Sequence, residues 1–269
     1  MNHPAGVLAV LFRQRGLLAV LVERELMARY RGTVLGYFWS LLNPLLLLAV
    51  YSVVFTLIIP ARVPMQVPYP LFLFAGLLPW LFASGTLLDS AIVIRDNGPL
   101  LKKVMCPPEV FPAVTVLSHL VHHLLALPIL LLAMVAAALT DRMPFPWTVV
   151  LLPLVLALWL VAVAGLALGV AALAVHFRDL KDLLHNLLNL VFFTTPIIYT
   201  VDIIPVPWLR KMVLMNPVTP LIALYRDVVL LGQVPSWQRW LAAGVVAAVC
   251  WLLGAFLFSR LRETLAETV

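Results

Sequence analysis

The sequence predicts an all-α integral membrane protein with six transmembrane helices, and three observations carry that prediction. Hydrophobic residues make up 64% of the 269 and charged residues 11%, with a mean hydropathy of +1.07, far from the roughly half apolar, quarter charged mix of a soluble domain. The charges are also bunched. Glu23, Arg24, Glu25, Arg29 and Arg31 stand close together and no charged residue follows before Arg62. Finally, six apolar stretches approach or exceed the roughly 20 residues of helix that cross a hydrocarbon core of about 30 Å. A soluble chain would need a polar surface that these residues cannot supply, whereas a bilayer accepts helices that are apolar all round.

Residues 1–33 read as a helix at the membrane interface. Val7, Leu11, Leu18 and Val22 share one stripe within about 60° by the 3.6-residue period, which suits a helix lying along the bilayer surface. Arg29 intrudes on that stripe and Gly16 is a point where the helix can break. A signal peptide fits poorly, because VLAVLF is short, is followed at once by RQR, and precedes no small-residue cleavage site.

The six-span bundle then covers residues 34–259, with a cytoplasmic tail at 260–269. The first span runs from about Val34 to Ile59 and opens with Tyr37, Phe38 and Trp39, rings suited to the membrane interface. The second, Pro70 to Ile94, carries Asp89 near its end, a carboxylate that a partner or interfacial water must satisfy. The third, Val110 to Leu139, contains His119, His122 and His123. The fourth, Trp147 to Val175, contains Gly165 and Gly169, a spacing that lets another helix approach closely. The fifth, Leu183 to about Thr200, ends in TTPIIYT. Beyond it Pro205, Pro207, Pro217 and Pro220 interrupt an apolar segment into pieces too short to cross, which read as re-entrant helices dipping into the outer leaflet. Leu241 to Ser259 is the last span.

Lys and Arg set the orientation. With the N-terminus inside, twelve fall on the cytoplasmic side and six on the other, so both termini are expected in the cytoplasm. The net charge of +6 and pI near 9.7 then reflect topology and contact with anionic membrane lipid, and no nucleic-acid partner is called for.

Catalytic chemistry finds little support. The His-x-x-His-His run resembles one histidine box of a membrane desaturase, so a membrane metalloenzyme using His119, His122 and His123 is an alternative. Such a two-iron site needs about eight histidines over several boxes, however, and the chain has six in all. Polar packing within the bundle is the expectation, with no metal, and a role facing a translocation path stays open. Cys106 and Cys250 fall in a loop and mid-span, too far apart in depth for a disulfide. None of the twelve glycines is followed by lysine, so there is no phosphate-cradling loop, nor any Gly-x-Ser-x-Gly or His-Glu-x-x-His motif. Uphill movement would draw on an ion gradient or on a separate subunit.

Four runs, ERELMARYRGTVLGYFWSLLNPLLLLAVYSVVF, FAGLLPWLFASGTLLDSAIVIRDNGPLLKKV, FRDLKDLLHNLLNLVFFTTPIIYTVDIIP and NPVTPLIALYRDVVLLG, resemble the transmembrane permease of bacterial polysaccharide ABC exporters, which carry O-antigen, capsule or wall teichoic polymers. The resemblance covers nearly the whole chain. It implies a single permease domain in the bacterial inner membrane, a homodimer, and two copies of a separate nucleotide-binding ATPase that holds ATP and Mg, with no cofactor in this chain. It further implies that the cytoplasmic loop after the second span couples to the ATPase through Asn97, Gly98, Leu101, Lys102, Lys103 and Glu109. Where relatives often carry an aromatic followed by Pro-Arg-Glu, this chain has Cys106, Pro107, Pro108 and Glu109, so a basic contact is absent there or supplied by Lys102 or Lys103. An exporter permease for a drug or a lipid is the alternative within transport.

A long glycan cargo would account for the rings. Aromatic faces stack weakly on sugar C–H faces, and weak repeated contact suits a sliding polymer. The candidates are Tyr37, Trp39, Tyr51 and Phe55 on the first span, with Phe192, Phe193 and Tyr199 on the fifth. Tyr37 and Tyr51 lie near one helical face, about 21 Å apart along the axis, while Trp39 points about 160° away from Tyr37.

Overall fold

A computed structural model describes residues 4–33, 36–54, 58, 67–104, 106–140, 142–177 and 179–268. The described residues are helical nearly throughout and contain no strand. Two N-terminal helices, α1 (Pro4–Arg13) and α2 (Arg15–Tyr30), lead to α3 (Trp39–Val53), α4 (Tyr69–Asp96), α5 (Gly98–Val104) and α6 (Val110–Leu139). Then follow α7 (Leu152–His176), α8 (Leu180–Thr194), α9 (Pro207–Met215), α10 (Val218–Arg226) and α11 (Trp237–Thr268).

Four helical segments are long and apolar enough to cross a membrane: α4, α6, α7 with the short turn that begins at Trp147, and α11 as far as Arg262. They coincide with the second, third, fourth and last predicted spans. The first and fifth predicted spans contain shorter helices, α3 and α8, of 15 residues each, or about 22 Å of axial rise. Between α9 and α10 the chain bends by 86°, where Pro217 ends one helix and starts the next.

The centre of the bundle is α4, buried at every position from Leu71 to Trp80. A helix apolar all round has no preferred face and is stable only when other helices cover it; α6, α7, α8 and α10 do so. The largest helix pair is α7 with α11. Here the Gly165 and Gly169 spacing is used for close approach: a Cβ at Gly165 would collide with the backbone at Cys250 and Trp251, and one at Gly254 would strike the Gly165 carbonyl.

The N-terminal stripe turns partly toward protein. Val7 is buried among Ile94, Leu168, Val175 and Phe258, and Leu18 among Cys106, Val110, Phe111 and Val114, so α1 and α2 lie across the ends of the spans. Leu8, Phe12, Val20 and Met27 face outward. The two helices thus present two apolar surfaces, one against the bundle and one exposed.

Candidate functional site

A carboxylate near the end of an apolar span needs partners. Asp89, seven residues before the end of α4, has two. Arg29 of α2 donates from Nη2 to Asp89 Oδ2 at 2.5 Å, and His119 Nε2 of α6 lies 2.8 Å from the same oxygen. A carboxylate only accepts, so His119 carries its proton on Nε2. Gly85 makes room for this ring, since a Cβ there would come within 2.8 Å of it. The partner expected for Asp89 is thus protein, and Arg29 breaks the apolar stripe because it is the residue that ties α2 to the bundle.

Beside this cluster a cavity of about 520 Å³ opens between α2, α3, α4 and α6. Its wall includes Arg29, Thr33, Trp39, Asn43, His122 and His123 together with the apolar Leu47, Leu78 and Ala126. The three histidines do not converge. His119 and His122 meet edge to face with ring centroids 6.1 Å apart. His123 turns away: its Nδ1 is 3.3 Å from the Leu78 carbonyl and its ring contacts Phe82 and Tyr225. Among the described residues no group of three or more His, Cys, Asp or Glu is placed to hold a metal.

The aromatic candidates separate into distinct environments. Phe55 and the side chain of Tyr37 lie outside the described residues. Trp39 is in the cavity wall, and Tyr51 is half-buried against the core. Phe192 faces inward onto Trp80, with centroids 5.7 Å apart, and supports Phe193 edge to face at 5.2 Å. Phe193 is exposed and borders a smaller apolar pocket together with Tyr199, whose hydroxyl donates to the Phe193 carbonyl at 2.9 Å.

Between α8 and α9 the chain has only a short 3-10 turn at Val201–Ile203, so the carbonyls before it need other donors. Side chains from distant elements supply them. Arg226, on α10 and buried, donates to the carbonyls of Pro196 and Ile197 and, at 3.1 Å, to that of Phe72, and its guanidinium stacks 3.7 Å from the Phe72 ring centre. Tyr69 donates to Ile198 O at 2.9 Å, and Asn216 Nδ2 to Thr195 Oγ1 at 2.9 Å. The break is therefore a fixed clasp joining α4, α8 and α10.

Residues 16–230 match the ABC-2 type transporter family. The chain belongs to that family. Among relatives, the O-antigen export system permease protein RfbA of Myxococcus xanthus is 36% identical over 260 residues, covering 96% of this chain and 97% of the relative. A protein of the same name from Klebsiella pneumoniae is 27% identical, covering 93% and 94%. The polysialic acid transport protein KpsM of Escherichia coli is 24% identical, covering 93% and 95%. An ABC-2 type transporter is a membrane permease, and the apolar helices of this chain make it a multi-pass membrane protein.

In this ABC-2 chain the loop that the resemblance assigns to coupling is partly folded inward. Asn97 caps α4 and donates from Nδ2 to Val93 O at 2.9 Å; Gly98 is buried and Leu101 half-buried. The side chains of Lys102 and Lys103 lie outside the described residues. Glu109 is buried, with Oε1 3.1 Å from Arg262 Nη1 of α11. Burial, and secondarily the Glu109 carboxylate, push the Cys106 thiol above its usual pKa. Sequence reasoning missed the Arg226 clasp and the Glu109–Arg262 tie; the one available signal was an arginine, in LIALYRDVV, where apolar residues were expected.

Proposed function

We propose that this chain is the permease subunit of an ABC exporter that passes a polysaccharide or lipid-linked glycan from the cytoplasm across the bacterial inner membrane. The observation that carries this reading is near end-to-end similarity, at 36% identity, to an O-antigen export permease. In this reading two permease copies assemble with two copies of an ATPase that binds ATP and Mg, and both termini are cytoplasmic. The short helices α3 and α8 complete six spans, the bent α9–α10 pair is re-entrant on the outer side, and α1 and α2 form the interface helix. The glycan slides along rings of the first and fifth predicted spans, namely Tyr37, Trp39, Tyr51, Phe55, Phe193 and Tyr199, with Phe192 as their support. The outward position of Phe193 is consistent with that role. Residues 97–109 dock the ATPase, with Lys102 and Lys103 as its basic contacts and Glu109 acting within the chain.

Deleting the chain from its host tests the proposal. Surface polymer, stained after periodate oxidation, should disappear while polymer accumulates inside, and the chain supplied together with its ATPase should restore the surface signal. Unchanged surface glycan in the deletion strain, with a drug or phospholipid accumulating instead, would transfer the assignment to another cargo.

A further inference from the structure

We propose that α11 is a strut that carries movement of the loop at residues 97–109 to the segment after α10 on the opposite side of the membrane, with Arg262 and Arg239 as the positioning residues at its two ends. This rests on the reading above in which that loop docks the ATPase, and it adds the route by which the far side responds.

Both ends of the helix are tied to acids that the fold has buried. Towards its C-terminus Arg262 Nη1 lies 3.1 Å from Glu109 Oε1, and near its start Arg239 donates to Asp227 Oδ2. Glu109 is 2% exposed and Asp227 4%, and among the described residues neither carboxylate has another side-chain partner. Removing the arginine would strand a buried charge, so each pair stays closed while the chain around it shifts. The stretch from Trp237 to Arg262 is long and apolar enough to cross a membrane, which puts the two pairs at opposite faces. The arginines are about 34 Å apart along the axis and about 140° apart around it, so the pairs grip the helix from different sides and pass on both translation and rotation.

Stiffness selects this helix over its neighbours. The helices joined to the loop through the chain, α4 and α6, have Pro79 and Pro128 in their interiors, each of which removes a backbone hydrogen bond and softens the helix. From Trp237 to Thr268 there is no proline, and Gly254 is packed against the Gly165 carbonyl. At the far end the movement reaches a sensitive point. Asp227 follows Arg226, which holds the carbonyls of Pro196 and Ile197 at the break after α8, close in the chain to the exposed Phe193.

The test attaches an environment-sensitive dye through Val234→p-acetylphenylalanine, at an exposed position between Asp227 and α11, in the permease–ATPase complex in nanodiscs, and compares emission in ADP with emission in ATP plus vanadate. The proposal expects a nucleotide-dependent change at position 234 that Arg262→Gln and Arg239→Gln each reduce at least threefold at equal ATP hydrolysis per complex. Arg262→Lys, which keeps the charge, should restore it. Should Arg262→Gln be lost from the membrane, Arg262→Leu with Glu109→Met removes the pair without stranding a charge and decides in its place. Lower abundance with an undiminished change per complex, or no change in a parent complex that hydrolyses ATP, overturns the strut. If Lys102→Glu with Lys103→Glu abolishes the change while Arg262→Gln keeps it, the strut falls and docking of the loop stands. If that double lysine variant leaves both hydrolysis and the change intact, the docking reading falls and the strut with it.

Discussion

Replacing Arg226 by methionine removes three donors at once. The carbonyls of Phe72, Pro196 and Ile197 lose the guanidinium, and Phe72 loses the cation over its ring. An orphaned buried carbonyl costs about 1–3 kcal/mol and a desolvated cation–π contact is worth about 2 kcal/mol. Opposing this is the relief of no longer holding a buried charge that has no carboxylate partner among the described residues, several kcal/mol in its own right. If that relief cancels the ring contact and one hydrogen bond, two orphaned carbonyls remain, a loss of about 2–6 kcal/mol. A change of that size lowers the melting temperature by roughly 10 °C. Arg226→Lys should fall between, because an ammonium keeps the charge but not the planar fork. Gly76→Ala approaches the same clasp from the other side, since its Cβ would run into the guanidinium. Melting of the permease–ATPase complex in nanodiscs, followed by tryptophan fluorescence, reads all three. If Arg226→Met and Gly76→Ala both melt within about 2 °C of the parent, the guanidinium does not hold the break and the clasp is wrong.

Three further outcomes follow from particular contacts. Gly254→Ala should weaken the α7–α11 pair by about 1–3 kcal/mol, whereas Gly169→Ala, 3.3 Å from its nearest neighbour, should cost less and Gly244→Ala, which meets nothing within 4 Å, should be neutral or slightly stabilising; equal melting of the three would remove the close-approach argument. Cys106, held as the thiol by burial and by Glu109, should react slowly with maleimide at pH 7 and about tenfold faster per pH unit below its pKa, and Glu109→Gln should speed the reaction at fixed pH; a rate independent of pH between 7 and 9 contradicts this. Lys102→Glu with Lys103→Glu should lower export or ATPase co-purification while leaving the permease inserted, and normal export at normal abundance would leave the loop as a topological anchor only.

The spans that could be read from sequence are those bounded by charge. Val110 to Leu139 is a helix over the predicted residues, and the fourth span ends at His176 instead of Val175, because a long apolar run leaves the helix no other place to stop. The fifth was less legible. Hydropathy continues through TTPIIYT, but the residue before Pro196 is disfavoured in helix, so α8 stops at Thr194 while the apolar character does not. The N-terminal stripe was visible from its period, but a period does not say what covers it, and Val7 and Leu18 meet the spans. The polar clusters were the least legible part. Asp89 and Arg29 are 60 residues apart and Arg226 and Phe72 are 154 apart; each looks like an isolated exception until the fold brings its partner near.

These contacts divide the bundle into parts of unequal rigidity. Close glycine packing joins α7 to α11, Arg226 and Tyr69 join α10, α4 and the break after α8, and Glu109 with Arg262 joins the loop after α5 to α11. Asn97 is thus continuous with α4 and Glu109 is tied to α11 by that ion pair, two links into one body. By contrast α8 buries only Leu184, Leu188 and Phe192, a single stripe, and α3 is half-exposed along its length. Local motion is drawn from elements with few buried contacts. The helices α3 and α8 are accordingly expected to move against the α4–α7–α10–α11 body, which the glycine packing, the Arg226 clasp and the Glu109–Arg262 pair hold as a unit.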